Sequence, residues 1–291
     1  MPLLTKLLGL VVAFFVLAAI FAIAEHFWPS VRQPRRLIRG RRTDITYFLF
    51  SPTLGKLFSG VLVFGSVMSL AYLTIGPLSN AELKGVEGRD TFLGRQPGLL
   101  QLFEITILAD FIGYWSHRAF HEVSTLWKIH AIHHSSTQLD WLSSVRVHPI
   151  NDVANNILVA TPLILLGFSP AAFATFIPFL TLYAIMLHAN VSWTFGPLRK
   201  IIASPTYHRW HHTSEEQGLN KNFAGLFPWF DALFGTLYLP DGVQPREFGV
   251  AGERIPESFF GQMKYPFRRR KSTVRDETIA GDLAVPARRG Q

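Results

Sequence analysis

The sequence predicts an all-α integral membrane protein with about four transmembrane helices, the last two forming a hairpin, and a cytoplasmic cap of histidine-rich helices. Hydrophobic residues make up 48% of the 291 residues and charged residues only 16%, whereas soluble domains average about 25% charged residues. The apolar residues are also contiguous, in runs long enough to cross a bilayer. This composition excludes a disordered chain, and the lack of cysteine excludes a disulfide-stabilised scaffold.

The first uncharged run covers 18 residues, from Leu7 to Ala24, and is about 27 Å long as a helix. Its end, Ala22-Ile23-Ala24, resembles the cleavage site of a signal peptide. Six arginines follow, however, and the positive-inside tendency places such a cluster in the cytoplasm. We therefore favour a retained helix with its N-terminus outside. The arginines are Arg32, Arg35, Arg36, Arg39, Arg41 and Arg42.

Three further apolar segments follow. Leu57 to Leu78 is an uncharged run of 22 residues, about 33 Å as a helix. The third segment, from about Gly98 to Trp115, carries Asp110, and an acid within a membrane span suggests a functional role. Val153 to Leu187 has no charge over 35 residues but is interrupted at Gly167 to Pro170, which indicates two helices joined by a tight turn. This hairpin either crosses the bilayer fully or re-enters from one side.

Eight of the eleven histidines fall into three short groups. Within each group, spacings of three and four residues place the imidazoles on one face of a helix. Eight buried imidazoles without polar partners would be costly, so we interpret the groups as metal ligands. Two ions with four or five nitrogens each would fit, and neutral imidazole suits iron, copper, zinc and nickel. The ligands are His117 and His121, then His130, His133 and His134, then His208, His211 and His212.

Five other polar residues are candidates for the same site. His188 ends the hairpin and is a candidate ninth ligand, and His148, just before the hairpin, is a candidate tenth; either could instead be a hydrogen-bonding histidine at the interface. Asp110 and Tyr114 share a helical face with the first histidine pair. Asp110 is expected either to accept the free ring N–H of a ligand or to form an ordinary buried pair with Tyr114. Asn190 could carry a metal-bound water or orient His188.

These motifs resemble the three histidine boxes of the fatty acid hydroxylase/sterol desaturase superfamily. The resemblance covers about residues 100–240 and implies a membrane-bound, O2-dependent di-iron oxidase that hydroxylates or desaturates an unactivated C–H bond of a lipid. Sterol-like lipids, fatty acyl chains and ether lipids rank close together as substrates. The flanking segments that also match are Asp110-Phe-Ile-Gly-Tyr114-Trp-Ser-His117-Arg118, Arg146-Val-His148-Pro149, His188-Ala-Asn190 and the stretch from Asn222 to Pro240.

The cofactors that the resemblance implies are two iron ions, for which zinc could substitute, and O2. No catalytic residue beyond the metal ligands and no organic cofactor site is expected. The sequence shows no haem-binding module, flavin fingerprint or cysteine cluster, so electrons are expected from a separate reductase or carrier. Arg199, Lys200 and Arg209, with the stretch Arg268 to Lys271, could dock an acidic carrier, but the positive-inside tendency alone would also explain these charges. The helices around 57–78 and 153–187 are expected to line a lipid channel.

The sequence also predicts three regions along the chain and a location in the cell. Residues 1–97 hold the N-terminal membrane helices and loops, residues 98–240 the catalytic region, and residues 241–291 a basic cytoplasmic tail that is partly disordered by composition. Counting the crossings places the site on the cytoplasmic side. The end of the chain shows no ER retention motif, and we expect a bacterial inner membrane first and an ER membrane second. The net charge of +8 does not indicate nucleic acid, because basic loops are usual in membrane proteins.

Other classes of function remain open at this point. A membrane haem protein that carries electrons through pairs of histidines would need those pairs on facing helices, not adjacent His-His doublets. A metal transporter would place its polar residues near the middle of the spans, whereas these histidines cluster at helix ends. A non-catalytic member of the superfamily is disfavoured because all eight box histidines are present.

Overall fold

The structure is a computed structural model, and it describes residues 3–32, 40–75, 91–168 and 170–268. Over those residues the regular elements are all helical, apart from two isolated β-bridges, which confirms the all-α class. Three helices are long and apolar enough to cross a membrane; a fourth crossing stays a prediction. The sequence predictions that fall outside the described residues concern Arg35, Arg36, Arg39, most of the loop from Ser79 to Pro97, the basic stretch beyond Arg268 and the end of the tail.

Helix α1 (Leu3–Phe27) is the first candidate membrane span. One side packs against the rest of the chain, where the ring of Phe21 stacks on Trp141 with 5.7 Å between the ring centroids. The other side is apolar but exposed, and Phe15 is 66% exposed. A helix with one buried side and one exposed apolar side is suited to a boundary between protein and lipid. That the helix is retained stays a prediction.

The second candidate span begins earlier than predicted. Helix α2 (Arg41–Phe50) continues through one π-helical turn (Ser51–Gly55) into helix α3 (Lys56–Ile75). Pro52 lies in this turn, and because proline removes a backbone donor, the helix widens there instead of keeping its regular bonding. The predicted run from Leu57 is therefore the second half of a longer helix.

The third candidate span, helix α4 (Gly98–Glu122), extends beyond the predicted end at Trp115 and carries the first histidine pair in its last two turns. Its middle packs on helix α6 (Pro149–Leu165), where buried Ile105 meets Val159 and Leu163. Helix α4 therefore carries ligands at one end and contributes to the apolar core in its middle.

The predicted hairpin consists of helix α6 and helix α7 (Pro170–His188). Gly167 lies in the turn with φ of 92°, a left-handed conformation that glycine adopts without strain. A Cβ at this position would lie 2.4 Å from the side-chain oxygen of Thr91, so close packing also demands glycine here. The two helices and the turn between them are confirmed, whereas their packing as a membrane hairpin stays a prediction; α7 ends at the candidate ligand His188.

Short helices and 3-10 turns form the remaining part, the cap. The second histidine group does not lie on one helix as predicted, because helix α5 (Ser124–His130) ends at the first of its histidines and His133 begins a separate 3-10 turn. The elements of the cap are helices α5 (Ser124–His130), α8 (Pro205–His211), α9 (Trp229–Leu233) and α10 (Phe259–Lys264), with 3-10 turns at His133–Ser135, Trp141–Val145, Gly196–Lys200, Glu216–Gly218 and Tyr265–Phe267.

A buried ion pair joins α2 to the cap. Arg146 donates from Nε and Nη2 to the two carboxylate oxygens of Asp44, at 2.6 and 2.9 Å. The side chains are 4% and 1% exposed. The paired geometry satisfies both charges, whereas a single remaining partner would be an uncompensated buried charge.

Asp44→Asn is therefore expected to lower the free energy of unfolding by about 3–5 kcal/mol, since it leaves the Arg146 guanidinium buried without its counter-charge. Thermal unfolding in detergent, followed by circular dichroism, measures the effect. Glu122→Gln is the matched control, because Glu122 is 51% exposed in its pair with Arg118 and exposed pairs contribute at most about 1 kcal/mol. Equal effects of the two substitutions would contradict the role assigned to the buried pair.

Candidate metal centre

Nine histidines from α4, α7 and the cap converge and form two groups, within each of which one ring nitrogen per residue lies within 4.8 Å of the others. Together they comprise the eight box histidines and His188. The groups offer five and four nitrogens, and the three boxes do not map one to one onto them. The first group is His117, His121, His130, His134 and His211, and the second is His133, His188, His208 and His212.

Six of the nine imidazoles are oriented by a hydrogen bond from Nδ1 to a protein oxygen. An imidazole that donates from Nδ1 presents an unprotonated Nε2 with its lone pair free. The bonds join His117 to the carbonyl of Phe223 (2.8 Å), His121 to Asn220 Oδ1 (3.3 Å), His130 to Asn151 Oδ1 (2.8 Å), His133 to the carbonyl of Arg146 (3.2 Å), His188 to the carbonyl of Ala184 (2.7 Å) and His211 to the carbonyl of Lys221 (2.9 Å).

The remaining ring nitrogens point at one another. The Nε2 atoms of His117 and His130 are 3.0 Å apart, and in the second group those of His133 and His188 are 3.2 Å apart. Because all four rings donate from Nδ1, neither atom of either pair has a proton to share when the rings are neutral, and two lone pairs this close repel. A cation between them removes the repulsion, since two nitrogens that each lie about 2.1 Å from one ion are about 3.0–3.4 Å apart. The residues therefore fit a metal ion in each group.

Burial favours the form of histidine that binds a metal. Loss of solvent, reinforced by neighbouring imidazoles, lowers the pKa of His134, His211 and His212 well below the ordinary value for histidine. The rings are therefore neutral at neutral pH and keep a lone pair for coordination. In addition, Nε2 of His121 and of His211 are buried without a hydrogen-bond partner among the described residues, as expected for atoms whose partner is an ion.

Asp110 does not accept a ring N–H, nor does it pair with Tyr114. Its carboxylate accepts three backbone N–H groups, from Gly225, Leu226 and Phe227, at 2.8 to 2.9 Å. Both alternatives expected from the sequence are corrected, because helical spacing could not show that a distant loop crosses this face of α4. Asp110 acts on the site indirectly, by fixing the loop that follows the ligand partner Phe223.

Asp231 holds the same loop from its other side, and sequence reasoning did not single it out. Its carboxylate accepts the backbone N–H groups of Phe223 and Ala224, at 2.7 and 2.9 Å, and the hydroxyl protons of Tyr207 and Thr236. Tyr114, expected to support the ligands directly, instead shares a 2.9 Å hydrogen bond with Thr236. The carbonyl of Phe223 is thereby set in place to accept from His117.

Asn190 and His148 also have different partners from those expected. The side-chain amide of Asn190 bonds to the backbone of Val31: Oδ1 accepts its N–H at 3.1 Å and Nδ2 donates to its carbonyl at 2.8 Å. The role expected for Asn190, to carry a metal-bound water or to orient His188, stays a prediction. Nδ1 of His148 accepts the N–H of Ile150 as the N-cap of α6, and Nε2 donates to the carbonyl of Met263. His148 is thus a helix cap outside both histidine groups, and its assignment as a tenth ligand is corrected.

Arg209 is not available for docking. Its side chain is fully buried, and Nη1 donates to the carbonyl of Leu139 at 3.1 Å. Burial lowers the pKa of Arg209 to about 9, so the guanidinium stays charged at neutral pH. The expectation of a docking role is corrected for this residue, because the third histidine box turns it into the core. Arg199 forms an ion pair with Asp241 on the surface.

A cavity of about 730 Å³ reaches the first histidine group from the cap. It is lined by the three ligand candidates His121, His134 and His211 and by polar side chains that include Lys128 and Arg254. None of its lining comes from residues 57–78 or 153–187. The expected lipid channel between those helices therefore stays a prediction.

Comparison with known families tests the resemblance that the histidine boxes suggested. Residues 102–236 match the family model described as fatty acid hydroxylase. The chain contains a fatty acid hydroxylase domain. All nine grouped histidines lie within this domain, whereas helix α1 and the whole second candidate span precede it. The resemblance drawn from the sequence is confirmed.

Known proteins similar to this domain modify lipids, according to their names. An ornithine lipid hydroxylase of Rhizobium tropici is 33% identical over 165 residues, which cover 56% of this chain and 49% of that protein. The alkylglycerol monooxygenase of Homo sapiens is 34% identical over 127 residues, 44% of this chain and 28% of that protein. A very-long-chain aldehyde decarbonylase of Arabidopsis thaliana is 30% identical over 140 residues, 44% and 22% respectively. The chain thus spans half or less of each relative, and no solved structure matches it.

Replacing one histidine of the second group is expected to remove one metal ion from the fatty acid hydroxylase domain. His188→Ala should reduce bound iron from about two ions per chain to about one. His148→Asn should keep both, because asparagine is also a good N-cap. Atomic emission spectrometry after anaerobic loading of the purified protein measures both. Metal loss from His148→Asn would contradict its assignment as a cap, and full occupancy of His188→Ala would remove His188 from the ligand set.

Asp231→Asn is expected to weaken metal binding by the first group roughly 10- to 100-fold, because the Phe223 carbonyl loses its support and His117 loses its orientation. The titration is done with ferrous ion under anaerobic conditions. Asp241→Asn serves as the control, since Asp241 is 80% exposed. Unchanged affinity in Asp231→Asn, with a correctly folded protein, would show that the loop does not set the ligand geometry.

Proposed function

We propose that this chain is a membrane-bound, O2-dependent di-iron oxidase that hydroxylates, or desaturates, an unactivated C–H bond of a lipid. The observation that carries the proposal is the pair of buried histidine groups whose free Nε2 atoms face one another at 3.0 to 3.2 Å. Two adjacent all-nitrogen sites in a fatty acid hydroxylase domain suit a pair of iron ions. Zinc could occupy the same nitrogens.

The site indicates which functions the iron would supply and which the protein would supply. Bound iron would supply the activation of O2. The nine histidines would hold the ions; burial keeps their rings neutral, and the Nδ1 partners of six of them fix the direction of Nε2. The buried cap excludes bulk water from the second group, where three of the four histidines are at most 7% exposed. Hydroxylation converts R–H, O2, two electrons and two protons into R–OH and water, so the chain needs an electron source.

Lipids with a polar head group are the substrates we propose first. The named substrates of two relatives, an ornithine lipid and an alkylglycerol, both have polar heads. The cavity at the first histidine group is lined by polar and charged side chains, including Lys128, Glu253 and Arg254. A polar head in this cavity would place nearby carbons of the same lipid beside His121 and His211. Fatty acyl chains and sterol-like lipids rank next.

The proposed partners are the bilayer and a separate electron-transfer protein. Three apolar helices make the chain an integral membrane protein. We propose that the cap faces the cytoplasm, because Arg41 and Arg42 begin the second candidate span on the side where the first one ends. A bacterial inner membrane is the proposed location, with the ER membrane as the second choice.

The geometry argues against the alternatives. A haem held by two histidines needs a facing pair separated by the width of an iron with two axial bonds, about 4 Å, and an open plane between them. Here five and four imidazoles converge with nitrogens about 3 Å apart and leave no plane for a porphyrin. A non-catalytic member would have no reason to keep all nine nitrogens aimed inward.

The activity test uses purified, iron-loaded protein in lipid nanodiscs with a supplied reductant, 18O2 and separate panels of ornithine lipids, alkylglycerols, acyl lipids and sterols. Mass spectrometry is expected to find one 18O atom per hydroxylated product, or loss of two hydrogens for desaturation. His134→Ala should lower turnover by at least about 100-fold, because it removes a nitrogen from the first group. An absence of O2-dependent product from every lipid class would refute the proposed function, and a strong Soret band would favour haem.

A further inference from the structure

Two backbone segments meet beneath the second histidine group. One runs from Leu139 to Trp141 and leads through a 3-10 turn to Arg146, whose carbonyl accepts from His133. The other, Ala189-Asn190, directly follows His188. The position of two ligands in this group therefore depends on how these two segments are held together.

A single carboxylate binds both segments through their N–H groups. Oε1 of Glu25, near the end of α1, accepts the N–H of Asn190 at 2.9 Å and the N–H of Trp141 at 3.3 Å. Glu25 lies well before residue 102, where the family match begins. The N-terminal helix thus reaches a site that otherwise consists of residues from the fatty acid hydroxylase domain.

A single guanidinium binds the same segments through their carbonyls. Nη1 of Arg209 donates to the carbonyl of Leu139 at 3.1 Å and to that of Ala189 at 3.5 Å. Arg209 stands between the ligands His208 and His211, so it also ties the third histidine box to this point. The buried charge is attracted by Glu25 and by Asp140, which balances the cation without direct contact.

The chain after α1 adds a second attachment to the same turn. Asn190 exchanges two side-chain hydrogen bonds with the backbone of Val31, and its carbonyl accepts the N–H of Ser30 at 3.2 Å. The N–H of Ser192 donates to the carbonyl of Trp28 at 2.9 Å. The turn after His188 is therefore enclosed by residues 25–31, and its freedom to move is small.

We propose that Glu25, on a helix outside the family domain, is a positioning residue for the second metal ion: with Arg209 it clamps the segments 139–141 and 189–190 and so sets His133 and His188. The inference rests on the proposed di-iron function for the identity of the ligand. The clamp itself is a property of the chain. The carboxylate of Glu25 accepts N–H groups of the two segments, and the guanidinium of Arg209 donates to their carbonyls. Together these bonds fix the position of one segment relative to the other.

The test compares Glu25→Gln with Phe21→Leu in the full-length protein. Glutamine keeps the size of the side chain and an oxygen that can accept both N–H groups, but it removes the charge that strengthens these bonds and balances Arg209. Phe21→Leu weakens the packing of the same helix on the Trp141 ring but removes none of the hydrogen bonds of the clamp. Anaerobic titration with ferrous ion is expected to show one of two ions bound roughly 10- to 100-fold more weakly in Glu25→Gln, while Phe21→Leu binds both as the wild type does.

Hydrogen exchange of the metal-free proteins gives a second readout. The amides of Trp141 and Asn190 should exchange faster in Glu25→Gln than in Phe21→Leu. Wild-type metal affinity in Glu25→Gln, or equal metal loss in the two variants, would overturn the proposal. If Glu25→Gln does not fold, Glu25→Asp takes its place in both experiments. This variant keeps the charge but has a shorter side chain, and the same results would support or overturn the proposal. A wild-type protein that binds no iron would contradict the proposed function, whereas the exchange comparison would still decide on the clamp.

Discussion

The site depends on one electrostatic constraint: imidazole nitrogens with free lone pairs are held about 3 Å apart away from water. Such an arrangement is unfavourable in neutral rings unless a cation lies among them, and burial disfavours the alternative of protonating the rings. The protein enforces the constraint from outside, because each hydrogen bond that Nδ1 donates both fixes a ring and determines which nitrogen carries the proton. A bound cation would complete this preorganised set of nitrogens.

The parts of the structure that hold this set are mostly buried charges. Asp110 and Asp231 collect backbone N–H groups of the loop that contains Phe223. Arg146, whose carbonyl accepts from His133, is in turn fixed by Asp44. These charges are stable in the core only because each has several partners. The geometry of the ligands therefore also depends on helices that carry no ligand.

The membrane helices and the cap share this task. Helix α4 carries His117 and His121 at one end, while its middle packs into the apolar core. Helix α1 has one face for lipid and another for Trp141, and its Glu25 reaches the turn after His188. The proposed oxidation of a lipid needs a site that is close to the bilayer and shielded from bulk water. Placing the ligands where apolar helices end satisfies both requirements.

The sequence alone determined the class of fold, the two helices joined by a turn at Gly167, eight ligand candidates and the family, because apolar run lengths and histidine spacings are local properties of the chain. It also indicated His188 as a candidate from its place at a helix end. Only the tertiary structure decided how the boxes divide between two groups, that His148 is a cap, and that Asp110 binds a loop. These outcomes depend on contacts between residues far apart in the chain, such as Asp110 with Gly225 or Glu25 with Asn190. Helical periodicity indicates which side chains share a face, but not which distant backbone lies opposite that face.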